Sequence, residues 1–205
     1  ESNSGSAFIF FGGITGTIPD TDANVTLNGQ DEDDTFGFNV ASLGDFNGDG
    51  KDDVIVGAGQ DDNNGESNSG SAFIFFGGIP GTKRADADAD VILNGQDDND
   101  SFGSPESDTA VPNQLGAGDF NGDGTRDVIV GARLDDNNSQ SNSGSAFVFF
   151  SSSVFPSVGF SSSTSTQTES TTSVTIPVTL SKTSSSTVTI DYAVTGSATG
   201  GGVDY

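Results

Sequence analysis

Asp45-Phe-Asn-Gly-Asp-Gly-Lys-Asp-Asp53, running directly into Val54-Ile-Val-Gly-Ala58, is the stretch that decides the fold. Oxygen-bearing side chains fall at loop positions 1, 3, 5 and 9 (Asp45, Asn47, Asp49 and Asp53), and Gly50 at position 6 permits a sharp turn. With the carbonyl of Lys51 at position 7, they form a set of hard oxygen donors that suits Ca2+. An EF-hand would place a bidentate Glu at position 12 and continue into a helix. Position 12 is instead Val56, within a β-branched run bounded by Asp and Gly, the pattern of a strand buried on both faces. The stretch therefore predicts a calcium loop inside a β-hairpin, with Asp53 as its closing carboxylate. It returns 74 residues later as Asp119-Phe-Asn-Gly-Asp-Gly-Thr-Arg-Asp127, followed by Val128-Ile-Val130. Asp119, Asn121, Asp123, Asp127 and the Thr125 carbonyl then form a second site. Asp, Asn and Gly also make turns without any ion. Three ligand carboxylates within nine residues, however, repel one another until a cation joins them, and the spacing is the same in both copies.

Repetition extends well beyond these loops. Ser2-Asn-Ser-Gly-Ser-Ala-Phe-Ile-Phe-Phe-Gly-Gly13 recurs over residues 67–78 and, in part, over 141–150. Leu27-Asn-Gly-Gln-Asp-Glu-Asp-Asp-Thr-Phe-Gly37 recurs as Leu93-Asn-Gly-Gln-Asp-Asp-Asn-Asp-Ser-Phe-Gly103. A repeat with this period is one supersecondary unit that buries its faces against its neighbours. In the first full unit, strands are expected over residues 38–43, 53–57, 71–76 and 90–93, with a loop-like insertion over 104–113 in the next. No segment has a capped helical period, so the fold reads as all-β, built from four-stranded antiparallel blades, about two and a half of them. The recurring phenylalanines read as core.

Composition shifts near Ser151. Of the 30 acidic side chains, 27 lie before it, and the remainder of the chain is rich in Ser and Thr. Alternation in Val174-Thr-Ile-Pro-Val-Thr-Leu180 and Thr187-Val-Thr-Ile-Asp-Tyr-Ala-Val194 predicts two half-buried strands and argues against a glycosylated stalk. The domains are accordingly 1–150 and 151–205.

The formal net charge is −24, and the 205 residues include no Cys, His, Met or Trp. Without Cys or His there is no Ser-His-Asp or Cys-His nucleophile, no thiolate zinc site and no disulfide. The charge disfavours nucleic acid and anionic lipid, and no apolar run approaches the roughly 20 residues of a membrane span. Starting at Glu1 without any Met, the chain reads as processed or as a fragment.

Phe36-Gly37, Val40-Ala-Ser-Leu-Gly-Asp-Phe-Asn-Gly-Asp-Gly50 and Asp53-Val-Ile-Val-Gly-Ala58 resemble an FG-GAP repeat, the blade unit of integrin α-subunit heads and of bacterial surface proteins. The resemblance covers about residues 1–150. It implies β-propeller blades with calcium in the hairpin joining strands 1 and 2, although the family's Pro after Gly-Ala is Gly59 in one copy and Arg133 in the other. Glu169, Val174-Thr-Ile-Pro-Val178, Val188-Thr-Ile-Asp-Tyr-Ala-Val194 and the segment ending in Val203-Asp-Tyr205 resemble the first half of a Calx-β domain. That implies a partial β-sandwich in which Glu169 and Asp204 stand at calcium-binding positions.

The function expected from these features is a non-enzymatic, extracellular or cell-surface calcium-binding module for adhesion or structure. Its partners would be calcium ions together with further copies of itself or a cell-surface or matrix molecule. The alternatives are a subunit of an extracellular filament or sheath and an accessory propeller of a larger secreted enzyme. Two readings of minor acidic groups complete the expectations. Asp20, Asp22 and Asn24, like Asp86, Asp88 and Asp90, would lie along a solvated strand edge. Asp31–Asp34 and the segment 61–64 would be solvated turns.

Overall fold

The computed structural model describes residues 4–63, 65–78, 80–103, 114–137, 139–151, 158–162, 164, 175–180 and 188–191. Strands β1 (Ser6–Ile9), β2 (Val25–Asn28), β3 (Asn39–Gly44), β4 (Asp53–Ala58), β5 (Ser71–Phe75), β6 (Gly81–Arg84), β7 (Val91–Asn94), β8 (Leu115–Gly118), β9 (Asp127–Ala132) and β10 (Ser145–Phe149) belong to a first compact unit, Glu1–Ser152. The central sheet has the order β3-β4-β5-β7 and is antiparallel throughout, with Val56 opposite Val40 on one side and Phe73 on the other. It is the complete four-stranded blade that the repeat predicts. On its flanks stand a sheet of order β1-β2-β6 and a sheet of order β8-β9-β10.

The β-branched runs explain the stacking. Ile55, Ala72 and Ile74 point to one side of the central sheet and pack with Leu115, Val128 and Val130. Val56, Phe73 and Phe75 point to the other and pack with Val25 and Leu27. Every residue of β5 is buried, because a blade between two blades has no solvent face.

The Phe-Gly pairs sit in the joints. Phe36 meets the rings of Phe73 and Phe75 edge-on, with centroids 5.7 and 6.5 Å apart. Phe102 packs one repeat later against Phe147, tilted, and Phe149, edge-on, at 5.8 and 6.2 Å. The glycines beside them tie the blade ends together, Gly37 N–H donating to the Gly57 carbonyl and Gly103 N–H to that of Gly131. At Gly57 a Cβ atom would lie 2.0 Å from the Gly103 oxygen, so backbone meets backbone there and only glycine fits.

Four expectations need correction. First, the blades are not purely antiparallel units. β6 leaves the loop between β5 and β7 and joins β2 in parallel, Val25 opposite Gly81. This satisfies an edge that would otherwise present unpaired N–H and C=O groups. Second, Asp86 and Asp88 lie in a four-residue helix, α1 (Ala85–Asp88), and Asp20–Asp22 forms a 3-10 turn, so neither set is a strand edge. The Asp88 carboxylate accepts the Arg84 N–H and folds that segment back on itself. Third, not every phenylalanine is core. Phe8, Phe38, Phe120 and Phe150 are exposed. Fourth, Asp34 and Asp61 are buried, not solvated.

The second unit, Ser153–Tyr205, contains an antiparallel pair, β11 (Val158–Phe160) with β12 (Val178–Leu180). β12 falls within the first alternating stretch, whereas residues 188–191 of the second carry no strand. Glu169 and Asp204, the insertion 104–113 and residues 111–113 of the expected last blade lie outside the described residues.

The joints make a direct prediction. Phe102→Ala should destabilise the first unit by about 3–5 kcal/mol in denaturant unfolding, because it empties a space walled by two sheets. A loss under about 1 kcal/mol would mean that the joint does not hold the blades together.

Candidate metal centres

Each hairpin loop links the first and second strands of a blade, β3 to β4 and β8 to β9. In the first, the Gly50 N–H donates to Asp45 Oδ2 (3.0 Å), the Asp49 N–H to Asn47 Oδ1 (2.8 Å) and the Lys51 N–H to Asp49 Oδ1 (2.9 Å). The second repeats the pattern: Gly124 N–H to Asp119 Oδ2, Asp123 N–H to Asn121 Oδ1 and Thr125 N–H to Asp123 Oδ1, all at 2.8–2.9 Å. These bonds gather the side chains at positions 1, 3 and 5 around the loop interior. Gly50 and Gly124 have φ of +88° and +83°, values that side-chain-bearing residues rarely adopt.

Asp53 and Asp127 differ from the other predicted ligands in being fully buried. Asp53 Oδ2 accepts the N–H groups of Phe46 and Asn47, and its Oδ1 accepts that of Gly77 (2.7 Å) beyond β5. Asp127 makes the corresponding bonds to Phe120, Asn121 and Ser151. Both carboxylates thus fasten the loop entrance to the end of the third strand. Three N–H bonds leave acceptor capacity on the Oδ1 atoms.

The loops are not identical electrostatically. Lys51 Nζ stands 3.2 Å from Asp49 Oδ2. Desolvation pushes the Asp49 carboxyl up, but the Lys51 ammonium and backbone N–H together hold it below the usual range. Asp123 is lowered by the Thr125 hydroxyl and then by the Thr125 N–H. Asp119 has both oxygens bonded, its Oδ1 receiving the Gly122 and Asp123 N–H groups. Asp45 is the contrast: its Oδ1 is buried and has no hydrogen-bond partner. A divalent cation fits this donor set, since an orphaned carboxylate oxygen in a ring of oxygen donors is what a hard ion requires.

Two further acidic groups lie at the opposite blade ends. Asp34, Asp61 and Asp62 bring one carboxylate oxygen each to within 4.8 Å of one another, as do Asp97, Asp100 and Asp135 one repeat on. The reading of these segments as turns missed them. The available signal was their recurrence, Asp34 matching Asp100 and Asp61 matching Asp135 in the repeat alignment. Burial pushes the Asp61 carboxyl up to about 7; a Ser71 hydrogen bond opposes this, and Asp34, Asp86 and Asp62 add to it. Burial likewise raises Asp34 to about 6 and raises Asp100.

A pH dependence follows. The unfolded chain releases these protons near pH 4, whereas the folded chain holds them up to about pH 6–7. Between those limits the folded state binds more protons, so stability falls as pH rises through the window. In chelator, the melting temperature should be higher at about pH 5.5 than at about pH 7.5, and Asp61→Asn should flatten the difference. A melting temperature that rises over this interval would contradict the assignment.

Comparison with known proteins agrees with the repeat boundaries. Residues 36–75 and 111–149 match the family model of the FG-GAP repeat. Over 120 residues the chain is 33% identical to integrin alpha-5 of Xenopus laevis, a match that takes in 58% of this chain and 10% of that protein. The matched region is therefore about a tenth of the relative's length. The first matched segment starts at the Phe-Gly joint and the second starts after it, and both run through the hairpin loop to the aromatic third strand. Residues 36–75 and 111–149 of the first unit are thus FG-GAP repeats, similar to those of an integrin alpha subunit and consistent with β-propeller blades.

Proposed function

We propose that this chain serves as an extracellular, calcium-binding adhesion or structural module with no catalytic role of its own. Its first unit would supply propeller blades, and residues 151–205 the start of a Calx-β-like sandwich. The observation that carries the calcium reading is Asp45 Oδ1, buried and unpartnered in a loop whose other oxygens are already turned inward. In this reading Asp45, Asn47, Asp49, the Lys51 carbonyl and Asp53 hold one Ca2+. Asp119, Asn121, Asp123, the Thr125 carbonyl and Asp127 hold another. The ion would displace Lys51 from Asp49 and cancel carboxylate repulsion that protein groups only partly offset. Adhesion and a location outside the cell rest on the likeness to an integrin α subunit and on the charge of −24. No helix among the described residues is long and apolar enough to cross a membrane.

A second reading, self-association into a ring or filament, is favoured by the ends of the stack. Phe8 in β1 corresponds in the repeat to Phe73 of the central blade, yet 41% of Phe8 is exposed against 1% of Phe73. Val148 in β10 corresponds to Ile74 and is also 41% exposed, against 1%. One end therefore presents the face that Phe73 buries, and the other presents the face that Ile74 buries. Two such surfaces are complementary head to tail, whether the next blade comes from the same polypeptide or from another copy.

Calcium titration by calorimetry tests the first reading. Without a bidentate Glu, the hairpin sites should bind on the order of 10⁻⁵ to 10⁻³ M. Saturation should raise the melting temperature, each site adding about 2.7 kcal/mol at a hundredfold excess over its Kd. Asp45→Asn together with Asp49→Asn should remove one site. An absence of heat, with a melting temperature indifferent to chelator, would refute the reading. For the second reading, sedimentation velocity in calcium should show head-to-tail oligomers that Phe8→Asp disperses; a monomer at micromolar concentration would refute it.

A further inference from the structure

We propose that Asp34, Asp61 and Asp62 form an additional calcium site, at the end of β4 opposite the hairpin loop. The two locations are well separated, because the six residues of β4 alone span roughly 17–20 Å. Backbone bonds fix the cluster in place. The Asp34 carbonyl accepts the Gln60 N–H (3.3 Å), tying the approach to Phe36 to the loop after β4. Asp61 is anchored on both sides of its side chain, its N–H donating to Ala58 and its carbonyl accepting from Gly70 (2.9 Å).

Three carboxylates in proximity do not make a site by themselves. What identifies this one is Asp61 Oδ2, which lies in a residue 1% exposed and has no hydrogen-bond partner. Asp34 beside it is 6% exposed, and Asp62 stands at the open rim, where an ion can enter. The charges that act most strongly on Asp61 are carboxylates, and a cation among them would offset their mutual repulsion. Opposite oxygens on one Ca2+ are up to about 5 Å apart and on Mg2+ about 4 Å, from their metal–oxygen distances. Three carboxylate oxygens within 4.8 Å of one another are close enough to share one such ion, and a set of hard oxygen donors suits Ca2+.

The next repeat provides an internal comparison. Asp97, Asp100 and Asp135 also approach one another, Asp97 standing at the position of Asp31 where the first cluster uses Asp62. There, however, the N–H and side-chain amide of Asn137 donate to both oxygens of Asp135, at 3.1 and 2.9 Å. Its counterpart in the first repeat, Asn63, donates to Asp86 Oδ1 instead (2.8 Å) and leaves Asp61 Oδ2 bare. The additional site therefore belongs to the first repeat alone.

Counting bound calcium by equilibrium dialysis of the 205-residue chain and its variants tests this independently of the hairpin loops. A chain carrying Asp45→Asn, Asp49→Asn, Asp119→Asn and Asp123→Asn should still bind one Ca2+, and adding Asp61→Asn should abolish it. Asp61→Asn alone should lower the wild-type count by one without lowering the melting temperature in chelator, since it removes an uncompensated charge. Were the hairpins not to bind, the wild-type count would be one, still lost on Asp61→Asn, and the present proposal would stand. Asp62→Asn, at an exposed position, should weaken the same site at least several-fold. A hairpin-disabled chain that binds no calcium, or a count and affinity unchanged by Asp61→Asn and Asp62→Asn, would overturn it.

Discussion

Burying carboxylates is the constraint on which this structure turns. Asp34, Asp53, Asp61, Asp100, Asp127 and Asp135 are all buried in a chain whose net charge is −24. Removing an ionised carboxylate from water costs several kcal/mol unless hydrogen bonds or an opposite charge replace the hydration. Asp53 and Asp127 meet that demand with three backbone N–H groups each, and so become the knots that close the hairpins. Asp135 meets it with Asn137. Asp61 Oδ2 and Asp45 Oδ1 have no hydrogen-bond partner, and these are the places where a cation has most to contribute.

Stacking distributes the remaining burden. A four-stranded sheet of short strands has too little apolar surface to stand alone, so each blade depends on its neighbours for a core. The Phe-Gly pair serves two ends at once. Its ring fills the joint between sheets, and its glycine lets one blade's backbone touch the next. The cation loops and the acidic clusters occupy opposite ends of the same strands. An ion bound at either end would therefore stiffen the joint through the backbone bonds described above.

The hairpins, the four strands of the full blade and the core runs were legible in the sequence, because periodicity and loop spacing are local properties. Burial was not. Ser6–Ile9, Ser71–Phe75 and Ser145–Phe149 have nearly the same sequence, yet the first and last alternate between more and less exposed residues while the middle one is wholly buried. Position in the stack decides that, and a single strand does not encode it. β6 was also invisible, since Gly81-Thr-Lys-Arg84 has no hydrophobic period and pairs in parallel with a strand of another repeat. Asp34 and Asp61 looked like turn residues one at a time. Only their return at matching places in the next repeat hinted that they were held for a reason.

Anomalous diffraction at long wavelength, from crystals of the chain saturated with calcium, tests the central claim most directly. The account predicts calcium peaks inside both hairpin loops, the first in contact with Asp45 Oδ1. Calcium-saturated crystals with neither hairpin occupied, and with Asp45 still unpartnered, would contradict it.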